Sequence, residues 1–179
     1  MRHLRHRGFT LIELMVALTI GILLLLLAMP QMSVWMSDNQ IRVGAQSVAE
    51  GMRMAQAAAI SRNLNTQFKL DAGAWSVLVV DTGTVIETTP LIAGSLDVTF
   101  SIYDAANGAL ATPSTVTFNP LGQVIANATN IAKVDVTMPA VAGTRPLRVI
   151  VSNLAGGTTF YGVKLCDPAF AAADPKGCP

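Results

Sequence analysis

From Phe9 to Met29 the chain reads FTLIELMVALTIGILLLLLAM, an apolar run interrupted by a single charge, Glu13. At 1.5 Å per residue, a helix of this length covers about 30 Å, the thickness of a bilayer's hydrocarbon core. Arg2, Arg5 and Arg7 stand immediately before it. Basic residues on that side keep the N-terminal end cytoplasmic and send the rest of the chain across the membrane. A secretory signal peptide or a plain signal anchor would account for an apolar run behind a basic leader. Neither accounts for Glu13. An acid near the centre of a membrane helix costs about 2.5–3.5 kcal/mol, and such residues are usually kept because something pairs with them. No small-x-small cleavage signal follows Met29 either.

The 179 residues suffice for one domain with a real core. The chain carries 12 Lys and Arg against 11 Asp and Glu, and removing the three leader arginines leaves 9 against 11. The body is therefore mildly acidic, which argues against a whole-surface nucleic-acid binder. Both histidines, His3 and His6, lie in the leader. Without the leader the chain has no imidazole for general acid–base work, for a Ser-His-Asp or Cys-His triad, or for a metal. Phosphate-binding loops, G-x-S-x-G elbows and metal-ligand clusters are absent from the sequence. Asp167 and Asp174 offer too few oxygens for calcium. No enzyme, cofactor or metal site is expected. Cys166 and Cys178, with eleven residues between them, suit a disulfide in an exported domain; two free thiols in a cytosolic one are the alternative.

The order Gly8, Phe9, Thr10, Leu11, Ile12, Glu13 behind a short basic leader resembles the prepilin signal of type IV pilins and type II secretion pseudopilins. The resemblance implies that residues 1–8 are a leader, that a membrane peptidase cuts after Gly8, and that the new N-terminus at Phe9 is methylated. It also supplies the partner that Glu13 lacks. Glu13 lies one helical turn beyond Phe9, and in a helix bundle its carboxylate can meet the α-amino group of a neighbouring subunit. In a low-dielectric setting that pairing offsets two burial penalties together. Glu13 is then an assembly residue.

Pro30 is expected to end or kink the apolar helix, because it lacks an N–H and clashes with the preceding turn. Residues 30–63 continue as an amphipathic helix: Ile41, Ala45, Val48, Met52, Ala55 and Ala59 recur at alternating steps of four and three. From Phe9 to about Arg62 the rod would measure roughly 80 Å. Residues 64–179 turn to a period of two. Leu96, Val98, Phe100 and Ile102 alternate with polar neighbours, as do Val134, Val136 and Met138. Further strands are expected at Thr66 to Leu70, Trp75 to Asp81, Thr115 to Asn119, Leu147 to Asn153 and Thr158 to Cys166. Turns are expected at Asn107-Gly108, Asn119 to Gly122 and Gly156-Gly157. One long helix followed only by strands is an α+β, pilin-like layout, a membrane helix whose continuation packs on antiparallel sheet. Trp35 is expected at the membrane interface and Trp75 within a strand.

Downstream, AAAISRN (Ala57 to Asn63), TFNPLGQV (Thr117 to Val124) and the terminal VIVSNLAGGTTFYGVKLCDP resemble the pseudopilin H or FimT (GspH/FimT) group of minor pilins. This implies a structural subunit of a type II secretion pseudopilus or type IV pilus that helps to start the filament or cap its tip. Its partners would be other pilins or pseudopilins, the prepilin peptidase, an inner-membrane assembly platform and membrane lipid. Its body would be periplasmic, held by one inner-membrane span. The alternative is a minor pilin that binds DNA during transformation. DNA-binding members resemble one another in a Gly-Arg-x-Arg run before the first cysteine, whereas this chain has Tyr161, Gly162, Val163, Lys164. Arg148, facing Lys164 across a hairpin about Gly156 with Arg145 nearby, is the candidate replacement for the lost guanidiniums. The bland alternative is a pair of solvated strand residues.

Overall fold

The computed structural model of the chain describes residues 9–71, 74–91, 98–125, 130–152 and 162–178, excepting the side chains of 27–31. Among these residues one α-helix, α1 (Leu11–Arg62), is followed by nine strands. They are β1 (Thr66–Leu70), β2 (Ala74–Val79), β3 (Val85–Pro90), β4 (Thr99–Tyr103), β5 (Ala109–Leu110), β6 (Ser114–Phe118), β7 (Lys133–Thr137), β8 (Leu147–Ser152) and β9 (Gly162–Cys166). Two antiparallel sheets result, in the orders β3-β2-β1-β6 and β5-β4-β7-β8-β9.

The helix has 52 residues, about 78 Å of rod. Thr10 is its N-cap and accepts a hydrogen bond from the Glu13 amide at 3.3 Å. Asn63, in the left-handed region at φ 52°, closes the other end, and its N–H bonds to the Ala59 carbonyl. Helical backbone is continuous through Pro30, so of the two expectations there, an end or a kink, the helix does not end. A proline within a helix forgoes one backbone hydrogen bond, while the turns on either side keep theirs. Among the described residues no helix is long and apolar enough to cross a membrane. The described side chains of the apolar run end at Leu26, short of the roughly 20 residues a crossing requires. Positions 27–29 of the expected span lie outside the described side chains, and the leader, residues 1–8, lies outside the described residues.

The second half of α1 lies across both sheets, touching β1, β2 and β6 of the first and β7, β8 and β9 of the second. All six stripe residues, from Ile41 to Ala59, are fully buried. Gly51 sits where the helix comes nearest the first sheet: a Cβ there would fall 2.7 Å from the Phe68 ring and 2.8 Å from Trp75. Those two rings stack tilted at 5.9 Å, and the Trp75 indole N–H donates to the Ser47 hydroxyl at 2.9 Å. The Thr66 hydroxyl donates to the Ala55 carbonyl at 2.6 Å, which pins the start of β1 to the helix. From the second sheet Ile102, Val134, Val136 and Val149 complete one continuous core.

Expected strands and observed strands agree in the interior of each sheet. The differences are at the edges. β3 was not anticipated, being a mostly exposed edge strand without alternation and ending on a proline, and neither was the two-residue β5. Leu96 and Asp97, the 158–161 stretch and the Gly156-Gly157 turn fall outside the described residues. The Asn119 to Gly122 turn is present. The Asn119 side chain accepts from the Leu121 and Gln123 amides at 3.0 and 2.9 Å, and Gln56 of α1 donates to the Gly122 carbonyl at 2.8 Å.

Candidate functional site

Two regions hold the residues singled out by the sequence. The first is the N-terminal half of α1. Phe9 is 83% exposed, and Leu11, Ile12, Leu14, Met15, Val16, Leu18, Ile20 and Ile22 to Leu26 all stand more than half exposed. Among the described residues, no other part of the chain buries them. Apolar residues around the whole circumference are what a helix shows when its surroundings on every side are apolar. Gly8 lies outside the described residues. Glu13 is exposed at the first turn, and among the described residues the ion pair Arg148–Asp135 does not involve it. The Thr10 to Glu13 spacing is also a T-x-x-E capping sequence. Sequence reasoning missed this second role, although the signal was present in TLIE.

The second region is the C-terminal hairpin and its loop. Cys166 and Cys178 are joined, with Cα atoms 5.2 Å apart. The loop is held from within: the Asp167 amide donates to the Lys176 carbonyl, and the Asp167 and Asp174 carboxylates cap the Ala169 and Lys176 amides, each at 2.8 Å. Gly177 packs so tightly that a Cβ would fall 1.9 Å from the Ala171 carbonyl oxygen.

The expected pairing of Arg148 with Lys164 is not the register found. Arg148 stands opposite Cys166, and Lys164 opposite Ile150. The slip is of two residues, so the side chains keep their face while their partners change. On its other side Arg148 is opposite Asp135 of β7, and its Nε and second guanidinium nitrogen donate to the two carboxylate oxygens at 2.5 and 2.8 Å. That bidentate bond, chiefly its hydrogen bonding and then its charge, holds the Arg148 pKa above its ordinary value against the opposing effect of burial. Lys164 donates to the Gly177 carbonyl at 2.8 Å and so ties β9 to the disulfide loop. Arg145 lies apart from both, with its backbone N–H on Asp38 of α1 at 2.8 Å. Of the three residues of the expected patch, Arg148 and Lys164 commit their charged groups to Asp135 and to the Gly177 carbonyl, while Arg145 is attached through its backbone N–H.

Trp75 is buried in β2, as expected, and Trp35 stands exposed on α1. Among the described residues no three His, Cys, Asp or Glu side chains cluster to hold a metal.

Comparison with known proteins agrees with this layout. A family model for the prokaryotic N-terminal methylation motif matches residues 3–29, and one for type II transport protein GspH matches residues 44–156, more than half of the chain. Among solved structures, the minor pseudopilin EpsH of the type 2 secretion system of Vibrio cholerae superposes with a TM-score of 0.51 at 14% sequence identity. The match covers 73% of this chain and 99% of that one, which fixes the fold as pseudopilin-like α+β. No curated protein matches the sequence.

Proposed function

The chain belongs to the GspH family of type II transport proteins, and from that premise we propose that it is a non-catalytic minor pseudopilin subunit of a type II secretion pseudopilus. Residues 9–29 anchor it in the inner membrane, with the 64–179 domain on the periplasmic side. It acts once residues 1–8 have been removed by a prepilin peptidase and Phe9 has been methylated. The observation that carries the reading is the contrast along α1: an exposed apolar stretch, Leu11 to Leu26, headed by an exposed Glu13, continues into a half whose apolar stripe is completely buried. Among the described residues the first half has nothing to pack on, and neighbouring helices in lipid or in a filament meet that need. Glu13 then pairs with the amino terminus of the subunit beside it.

Glu13→Ala in the full chain tests the role. Leader removal and domain stability should be unchanged, while cross-linking into the filament with other pseudopilins falls. Normal incorporation would refute it. A gene deletion scored for both enzyme secretion and pilus-dependent transformation distinguishes a pseudopilus subunit from one of a type IV pilus. The DNA-binding alternative draws less support from the geometry, since Arg148 is neutralised by Asp135 and Lys164 serves the Gly177 carbonyl. A salt-sensitive gel shift with duplex DNA that is lost in Arg148→Ala/Lys164→Ala would restore it.

A further inference from the structure

Asn107-Gly108 closes the β4–β5 hairpin, and its hydrogen bonds exceed what a turn requires. Closure is complete in the backbone, where the Asp104 N–H donates to the Gly108 carbonyl at 2.9 Å and the Asn107 N–H to the Asp104 carbonyl at 3.2 Å. Asn107 takes the left-handed conformation, φ 66°, where glycine is the usual occupant. Gly108 lies outside that region, so its missing side chain answers to something else. A Cβ at 108 would fall 2.9 Å from the Asp104 carboxylate. The bare glycine lets that carboxylate sit on the Gly108 amide, whose N–H donates to it at 2.6 Å. The Lys133 ammonium, held 4.8 Å from the centre of the Tyr103 ring, donates to the Asn107 side-chain carbonyl oxygen at 2.6 Å.

A carboxylate on the N–H and an ammonium on the side-chain carbonyl are the base and the oxyanion partner for a reaction between those two groups. We propose that this turn promotes its own modification, the Gly108 nitrogen attacking Asn107 Cγ to form a succinimide. As the N–Cγ bond forms, the proton on the Gly108 nitrogen passes to Asp104 and negative charge gathers on Oδ1 beside Lys133. The bond from Cγ to Nδ2 then breaks, and the proton held by Asp104 goes to the departing ammonia. Asn107 and Gly108 are both exposed, so water reaches the ring and opens it to aspartate or isoaspartate. The reacting groups belong to adjacent residues, which makes the step intramolecular. Isoaspartate lengthens the main chain in a hairpin whose second arm, β5, has only two residues, paired at Ile102–Leu110 and Tyr103–Ala109. Aspartate instead sets a carboxylate against Lys133 of β7. One product loosens the edge of the second sheet, and the other ties the turn to its interior.

The test incubates the full chain in detergent, digests it at intervals, and follows the peptide spanning Asn107 by mass spectrometry for loss of one ammonia and then gain of one water. The folded chain should convert faster than the same chain held unfolded in guanidinium chloride, by about a hundredfold. Asp104→Asn keeps an oxygen for the Gly108 amide but cannot take its proton, and should lose most of that advantage. Lys133→Met should slow conversion by about tenfold, and Lys133→Arg should recover part of the loss. A folded rate at or below the unfolded rate would overturn the proposal, because the hydrogen bonds would then only lock the turn. Conversion of folded Asp104→Asn and Lys133→Met at the wild-type rate would overturn it as well. The comparison of folded with unfolded wild type decides the matter by itself should a variant fail to fold.

Discussion

Leu11–Leu26 and Ile41–Ala59 belong to one helix, share a backbone geometry, and have opposite fates. Leu23 in the first is 61% exposed and Ile41 in the second is fully buried, yet leucine and isoleucine are equally apolar. Apolar content is not what separates the two stretches. The first is apolar around its circumference and built of large side chains, so a sheet on one side could cover only a fraction of it. The second confines its apolar residues to a stripe and makes them small: Ala45, Ala49, Gly51, Ala55 and Ala59 let the helix axis approach the sheets, and Val48 and Met52 fill the space between. Burial within the chain follows the distribution of side chains around the axis. Total hydrophobicity indicates only that some cover is needed.

The sharpest way to break this contrast is to make the same cut in both halves. Met52→Ala should cost about 2–5 kcal/mol in denaturant unfolding of the full chain in detergent, because the cavity it leaves has no room to collapse. Leu18→Ala should cost next to nothing in that assay and show itself only as weaker association between subunits. Equal losses in stability would remove the distinction. Next in size, Cys166→Ser/Cys178→Ser should lower stability by about 3 kcal/mol through the freed chain entropy of the unfolded state. The loss should be confined to the folded domain, leaving helix association intact. Asp135→Asn should cost about 1.5 kcal/mol, since it strips one charge from a bidentate bond whose side chains are only 26% and 19% exposed. The smallest change is expected at the start of the exposed half: Thr10→Ala removes the cap and should cost about 1 kcal/mol of local helix stability, visible as faster amide exchange at Glu13. No change there would mean that the first turn is held by its surroundings.

Much of the architecture could be read from the chain because two periods differ so clearly. Steps of three and four marked Ile41 to Ala59, and alternation marked β4 and β7, where one face must be apolar. β3 escaped because an edge strand exposed on both faces has no reason to alternate. The hairpin register escaped for a related reason. A slip of one residue would have turned Val149 and Val151 to solvent and so betrayed itself, whereas a slip of two leaves every side chain on its own face. The placement of Arg148 beside Lys164 failed on that degeneracy. Asp135 as the partner of Arg148 depended on the lateral register between β7 and β8, which no local pattern records. The two cysteines and the cap at Thr10 are chemistry local in sequence, and both stand in the sequence directly; the capping role went unread because Glu13 already had an explanation in electrostatics.

Because α1 is both the exposed rod and the inner member of the core, any axial load on its bare end enters the domain in shear. The row from Ile41 to Ala59 must slide past both sheets together, and the hydroxyl of Thr66 and the side chain of Gln56 act as cross-ties resisting that slide. A strand pulled from a sheet edge unzips one bond after another; this rod gives way only as a whole. The domain is thereby fastened so that pushing or withdrawing the helix carries it along as cargo on a shaft.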